Sequence, residues 1–364
     1  MKYLDQFRNP DIIKKFLEII SYELKTYNKK IKLMEVCGTH TMAIGKAGLR
    51  KILPQNIFLI SGPGCPVCVS PNEYIDKAIE YSKMKNTIIS TFGDMMKVPG
   101  SYSSLEKEKG NGADIRVVYS PMDALKIAEE NKRKNVIFLG IGFETTAPTV
   151  ALTIKTSFEK NIKNFFVYSG HKLIPPAMEV LVQDKKIEID GFICPGHVST
   201  IIGGMPYKFI PQKYGISCVI TGFEPVDILQ AIYTLVKKIT KKQKPSVEIQ
   251  YKRSVKKQGN EKAKQIIEDV FEITDSKWRG LGNIKKSGLK IKDKYKEIDA
   301  EENFEVKVKE VKENPNCICG DILKGVKNPK QCPLFLKKCN PENPVGPCMV
   351  SSEGTCASYF KYEI

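Results

Sequence analysis

Eleven cysteines and three histidines carry most of the chemistry open to this chain, and they are unevenly spread. Cys317, Cys319, Cys332, Cys339, Cys348 and Cys356 crowd the end, while Cys37, Cys65, Cys68, Cys194 and Cys218 lie earlier. In a secreted chain they would suggest disulfides; in a reducing cytosol they suggest metal ligands or redox thiols. Met1-Lys2-Tyr3-Leu4-Asp5 lacks the basic region and apolar run of a secretory signal. No stretch approaches the roughly 18 apolar residues of a membrane-spanning helix. The expectation is a cytoplasmic protein with no membrane partner, whose cysteines serve as metal ligands or redox thiols.

Cys65-x-x-Cys68 sits in Gly62-Pro63-Gly64-Cys65-Pro66-Val67-Cys68, a tight turn feeding a helix start. The spacing suits a redox dithiol whose thiolate the helix dipole stabilises, half a zinc site, or plain structure. Cys37-Gly38-Thr39-His40 sets a soft thiolate and an imidazole three residues apart, a pair able to share iron. Its plain alternative is a buried thiol beside a capping threonine. Glu144-Thr145 follows the Gly140-Ile141-Gly142 turn, where a helix N-terminus could hold an anion. Neither a complete dinucleotide fingerprint nor a phosphate-binding Lys-Ser/Thr loop is present.

The last cysteines are too irregular for paired zinc knuckles, and Cys317-x-Cys319 is too tight for one. Wide spacings interrupted by Pro333, Pro341, Pro344 and Pro347 suit a cluster held by four thiolates, with zinc as the alternative. The segment has too few large apolar residues to hold itself together without a metal staple.

These residues need elements to position them. Residues 9–27 read as a helix capped by Asn9, with Pro10 in its first turn and one apolar face. Short apolar runs follow at 31–36, 56–61, 87–92, 115–120, 135–141, 164–169, 191–194 and 217–221. They alternate with amphipathic stretches such as 72–83, 121–132, 146–160 and 225–239. That alternation predicts α/β architecture with a mainly parallel sheet, either one sheet or two smaller α/β domains, ahead of the loop-rich, metal-stapled C-terminal segment. A closed eightfold barrel is disfavoured by the tight spacing. The expected division is 1–120, 121–237 and 238–364, with 238–262 as linker and 263–312 carrying little chemistry. Ligands of such sheets bind beyond the carboxyl ends of the strands. Cys37, His40, Cys65, Cys68, Asp94, Glu144, His171 and His197 all follow strands, so one shared cleft is expected.

The formal charge of +17 invites a nucleic-acid reading, but only six of the 58 basic residues are arginine and the lysines are scattered. A solvated lysine surface, or a face for an acidic partner, accounts for the excess, and no nucleic acid is expected.

Five ordered blocks resemble the signatures of the HypD family: Cys37-Gly38-Thr39-His40-Thr41, the Gly62–Cys68 turn, Gly142-Phe143-Glu144-Thr145-Thr146-Ala147-Pro148, Pro195-Gly196-His197-Val198-Ser199, and the tail from Cys319-Gly320 to Cys356. They run through nearly the whole chain, and the resemblance implies an α/β fold of two parallel-sheet α/β domains facing a cleft plus a small C-terminal iron–sulfur domain. The resemblance implies a [NiFe]-hydrogenase maturation factor, a scaffold on which a transient Fe(CN)2CO iron is assembled with a HypC-type small chaperone and a HypE-type cyanide donor. It implies that Cys37 ligates that iron and that Cys65 and Cys68 form a redox pair beside it. His40, Glu144 and His197, with Asp94 and His171, would tune protonation or bind a partner's tail. It assigns Cys319, Cys332, Cys339 and Cys356 to a [4Fe–4S] cluster, leaving Cys317 and Cys348 as a second dithiol in an electron relay. One departure stands out: where the first block often ends in a second histidine, this chain has Met42. The rival readings are a stand-alone thiol or iron–sulfur redox enzyme and a zinc-stapled binding module. Radical SAM chemistry is disfavoured because no C-x3-C-x2-C triplet occurs.

Overall fold

All eight apolar runs become strands: β1 (Ile31–Glu35), β2 (Ile57–Ser61), β3 (Thr87–Thr91), β4 (Asp114–Val117), β5 (Asn135–Gly140), β6 (Phe165–Ser169), β7 (Gly191–Cys194) and β8 (Ser217–Ile220). The computed structural model describes residues 5–311 and 313–364. Residues 1–4, part of the stretch in which no leader was read, lie outside the described residues. β3, β7 and β8 are buried along their whole length, as parallel strands covered on both faces must be. The first helix, Pro10–Leu24, starts as its cap dictates: Asn9 Oδ1 accepts from the amides of Asp11 (2.8 Å) and Ile12 (3.3 Å). Among the described residues no helix is long and apolar enough to cross a membrane.

The strands form two parallel sheets, ordered β2-β1-β7-β8-β9 and β4-β3-β5-β6, with β9 (Val247–Ile249) at the edge of the first. The sheets do not follow the 1–120/121–237 division. The chain leaves the first sheet after β2, builds the second from β3 to β6, and returns with β7 to β9. A boundary at 120/121 therefore runs through the second sheet. The apolar pattern that marks a strand carries no label for the sheet it joins, which explains the difference. β9 also falls inside the expected linker.

Residues 263–312 hold more than expected. β10 (Phe271–Trp278) and β11 (Gly282–Ile291) form an antiparallel hairpin. The indole of Trp278, the only tryptophan, is buried and donates to Ser287 Oγ at 2.9 Å. The cysteine-rich segment is clamped onto the first sheet. Its last helix, Thr355–Tyr362, packs against the helix Gly38–Lys46, and Ser358 Oγ donates to the Thr41 carbonyl at 3.1 Å. Arg50 sits between fully buried Glu35 (2.7 Å) and Glu363 (2.9 Å), beneath the Tyr359 ring.

Candidate functional site

The carboxyl ends of β2, β1, β7 and β8 lie side by side, because these strands are neighbours in the first sheet. They deliver in order the Gly62–Cys68 turn, Cys37 with His40, His197, and Phe223. Cys37 occupies the N-cap of Gly38–Lys46. The turn after β2 presses on it: the Gly38 amide donates to the Gly64 carbonyl at 2.9 Å, and a Cβ at Gly64 would collide with the backbone N and Cα of Cys37. Only glycine allows that approach. Cys37 is a free, buried thiol pushed up to about 12, first by burial and then by the charge of Glu353. The helix start acts in the opposite direction and loses to desolvation.

Cys65 and Cys68 form a disulfide, with Cα atoms 5.2 Å apart. Cys65 caps the short helix Pro66–Val69, and the Cys68 amide donates to Cys65 Sγ at 3.1 Å. Cys68 Sγ lies 3.9 Å from the carbonyl oxygen of Pro347, the residue before Cys348. The disulfide thus stands between Cys37 and the C-terminal cysteines.

The loop after Cys348 closes over the same ground. Thr39 Oγ1 donates to Glu353 at 2.6 Å, and a Cβ at Gly38 would collide with Glu353. Ser351 Oγ donates to Asp94 at 2.9 Å, so Asp94, following β3 of the second sheet, meets this loop. Burial, against the Thr39 hydrogen bond, raises the Glu353 carboxyl.

All six C-terminal cysteines line one small cavity together with Leu334 and Phe335. The sulfurs of Cys319 and Cys348 lie 2.8 Å apart. This contact lowers Cys319 and raises Cys348, and Cys356 also raises Cys348. Burial lifts Cys317 to about 12, with smaller contributions from Cys319, Cys356 and Cys332. Cys339 is raised by burial and by Cys356 and Cys332. Cys317, Cys332, Cys339 and Cys356 therefore lie near one another, and Cys319 faces Cys348 at the shortest sulfur contact; Cys317 also feels Cys319, and Cys356 also reaches Cys348. The expected pairing of Cys317 with Cys348 is not the one the fold brings together; loop path, not spacing, sets it. Among the described residues no three His, Cys, Asp or Glu side chains stand as a ready-made shell around a metal ion.

Sequence reasoning missed Arg279. Its amide donates to the Val69 carbonyl (2.7 Å) and its Nε to that of Ser70 (3.0 Å), while its guanidinium reaches Asn72 and Glu313. Gly280 beside it packs on Gly320. The hairpin tip thus ties the disulfide helix to the Cys319 helix, and the Arg279 charge adds to the lowering of the Cys319 thiol that the Cys348 hydrogen bond begins. The signal was present as Trp278-Arg279-Gly280-Leu281-Gly282, a glycine-flanked turn beside the lone tryptophan.

The histidines do not converge on one point. His40 and His197 flank Phe223, with ring centres 4.7 and 4.0 Å away. His40 Nε2 donates to the Gly222 carbonyl at 3.0 Å, its Nδ1 is buried without a partner, and burial drops it to about 4. His171 lies apart, after β6 and under the hairpin. Glu144 is buried at the end of β5, where Oε1 accepts from the Ile174 amide at 3.0 Å, the first residue of the helix Ile174–Gln183. It caps that helix, and burial pushes its carboxyl up to about 7. Tyr207, between β7 and β8 in sequence, lies close enough to feel its charge.

The family described as HypD, hydrogenase formation hypA family, matches residues 11–363. The hydrogenase maturation factor HypD of Escherichia coli K12 is 44% identical over all of this chain and 98% of its own length. HypD2 of Bradyrhizobium diazoefficiens is 46% identical, covering all of this chain and 97% of its own length. A putative hydrogenase expression/formation protein of Methanocaldococcus jannaschii is 44% identical, covering 96% of this chain and 97% of its own length. With its strand-end motifs and cysteine-rich tail matched from end to end, the chain belongs to the HypD family of hydrogenase maturation factors.

Proposed function

We propose that this chain is the scaffold on which a Fe(CN)2CO iron is assembled for a [NiFe]-hydrogenase, working with a HypC-type chaperone and a HypE-type cyanide donor. The observation that carries the reading is the contact of Gly64 with Cys37, which sets a buried free thiol beside the turn that bears the Cys65–Cys68 disulfide, at the neighbouring ends of β1 and β2. In this reading Cys37 binds the cargo iron as thiolate, and the iron displaces the proton that burial otherwise keeps on sulfur.

The donor set at the tail fits an iron–sulfur cluster: buried or half-buried free thiols gather in one cavity, four of them crowding one another. Cys317, Cys332, Cys339 and Cys356 would hold a [4Fe–4S] cluster, which supplies one-electron transfer. This replaces Cys319 by Cys317, because Cys319 is engaged by Cys348. The Cys319/Cys348 pair can then reduce Cys65–Cys68 by thiol–disulfide exchange. A Cys319–Cys348 bond forms and the Cys65–Cys68 bond breaks; one proton comes from Cys348 and one from solvent. Arg279 keeps the two helices in register and favours the attacking thiolate. His40 is neutral and oriented, and His197 offers an exposed imidazole at the rim.

The test is anaerobic co-purification with the small chaperone, followed by infrared spectroscopy. Bands from bound CN and CO are expected, and Cys37→Ala should abolish them while leaving the brown cluster chromophore. Bands that persist in Cys37→Ala refute the assignment. Cys317→Ala should bleach the chromophore, whereas Cys319→Ala should keep it; the reverse outcome restores Cys319 as ligand.

A further inference from the structure

Among the described residues no carboxylate pairs with the buried amine of Lys172. Its backbone is fixed on both sides: its amide donates to the Gly142 carbonyl at 3.0 Å, and it bridges to Gly288 of β11. The side chain is therefore committed inward, and only 4% of the residue is exposed. Its Nζ donates to Ser276 Oγ at 2.7 Å and stands 5.7 Å from the centre of the Trp278 ring. No carboxylate lowers its energy, and burial alone depresses the amine to about 8.

The neighbouring His171 is equally buried. Ser169 Oγ spends its proton on the Leu289 carbonyl at 2.9 Å, so at 3.3 Å it accepts from His171 Nδ1. That leaves Nε2 as a bare acceptor, buried with no hydrogen-bond partner among the described residues. Lys172, Ser276 and His171 line an open-mouthed cavity of about 380 Å³ between the end of β6, the hairpin and the helix Asn72–Ser82. The charged groups around them are already engaged. Glu301 takes Lys77 at 2.7 Å, Glu73 takes Lys277 at 3.7 Å, and Lys290 reaches Glu302 at 3.4 Å. Asp275 accepts from the Lys286 amide and Asp299 from the Glu301 amide. Among the described residues, none of the carboxylates lining the cavity pairs with Lys172, and nothing donates to His171 Nε2.

We propose that this cavity binds a small oxyanion bearing a hydroxyl, of the hydrogenphosphate or hydrogencarbonate kind, through Lys172 Nζ and Ser276 Oγ as donors and His171 Nε2 as acceptor. The anion oxygens neutralise the amine, and the hydroxyl satisfies the orphaned imidazole nitrogen. A simple carboxylate or sulfate serves only the first need.

The test is isothermal titration of the full-length protein with inorganic phosphate and with bicarbonate, using sulfate and acetate as oxyanions without a hydroxyl. Phosphate or bicarbonate should bind more tightly than either control. Phosphate alone points to hydrogenphosphate itself, since a phosphomonoester dianion carries no hydroxyl, and bicarbonate alone to hydrogencarbonate; both support the site. Binding should weaken as pH rises past about 8, where Lys172 loses its proton. Lys172→Met should weaken it by at least about tenfold, the loss of one charged hydrogen bond. The control comparison and the pH profile need no variant, so the proposal stays testable if Lys172→Met folds poorly. Absence of binding by both hydroxyl-bearing anions overturns it, as does unchanged affinity in a folded Lys172→Met. Sulfate or acetate binding as tightly as phosphate overturns the role given to His171.

Discussion

Replacing Glu144 by Gln should change how stability depends on pH. The carboxyl is fully buried, with Oε1 held by the Ile174 amide and Oε2 without a partner. Burial lifts its pKa from 4.5 to about 7. The folded value lies above the unfolded one, so protonated Glu144 is tolerated at low pH, and stability is lost as pH rises through about 7. A displacement of that size corresponds to about 3 kcal/mol between the two limits. Gln cannot ionise, and its Oε1 can still accept from the Ile174 amide. Glu144→Gln should therefore match the parent near pH 4, below the unfolded value, and exceed it by about 3 kcal/mol near pH 8. Urea unfolding at both pH values, followed by far-UV circular dichroism, measures the gap. A gap that does not change with pH, or a variant less stable at both, refutes the reasoning and shows that Glu144 ionises without penalty.

Arg50→Met strands the buried carboxylates of Glu35 and Glu363 and should cost about 3–5 kcal/mol in urea unfolding. Adding Glu35→Gln should recover part of that loss; no recovery means that Arg50 acts through packing alone. Gly64→Ala forces a methyl into the Cys37 backbone. It should abolish the CN and CO infrared bands of the chaperone complex while leaving the sheet signal in circular dichroism, and intact bands would show that this contact is dispensable. Arg279→Gln should slow reduction of Cys65–Cys68 measured by thiol labelling, with Arg279→Lys giving partial rescue. Equal rates in both variants would remove Arg279 from any role in positioning the two cysteine helices.

The sequence by itself determined the elements and the chemistry at their ends. Asn9 and Pro10 start a helix, alternating apolar runs make β1 to β8, and the reactive residues follow those strands because βα turns lie at carboxyl ends. All of this depends on residues a few positions apart, where periodicity and capping act. The tertiary structure alone decided which sheet each strand joined, since β7 looks no different from β6 until it pairs with β1. It also decided that Cys319 rather than Cys317 faces Cys348, that His171 lies away from His40 and His197, and that Arg279 bridges the cysteine helices. These outcomes depend on the path of long connections and on which buried groups find partners, energies that arise between residues far apart in the chain and leave no local pattern in it.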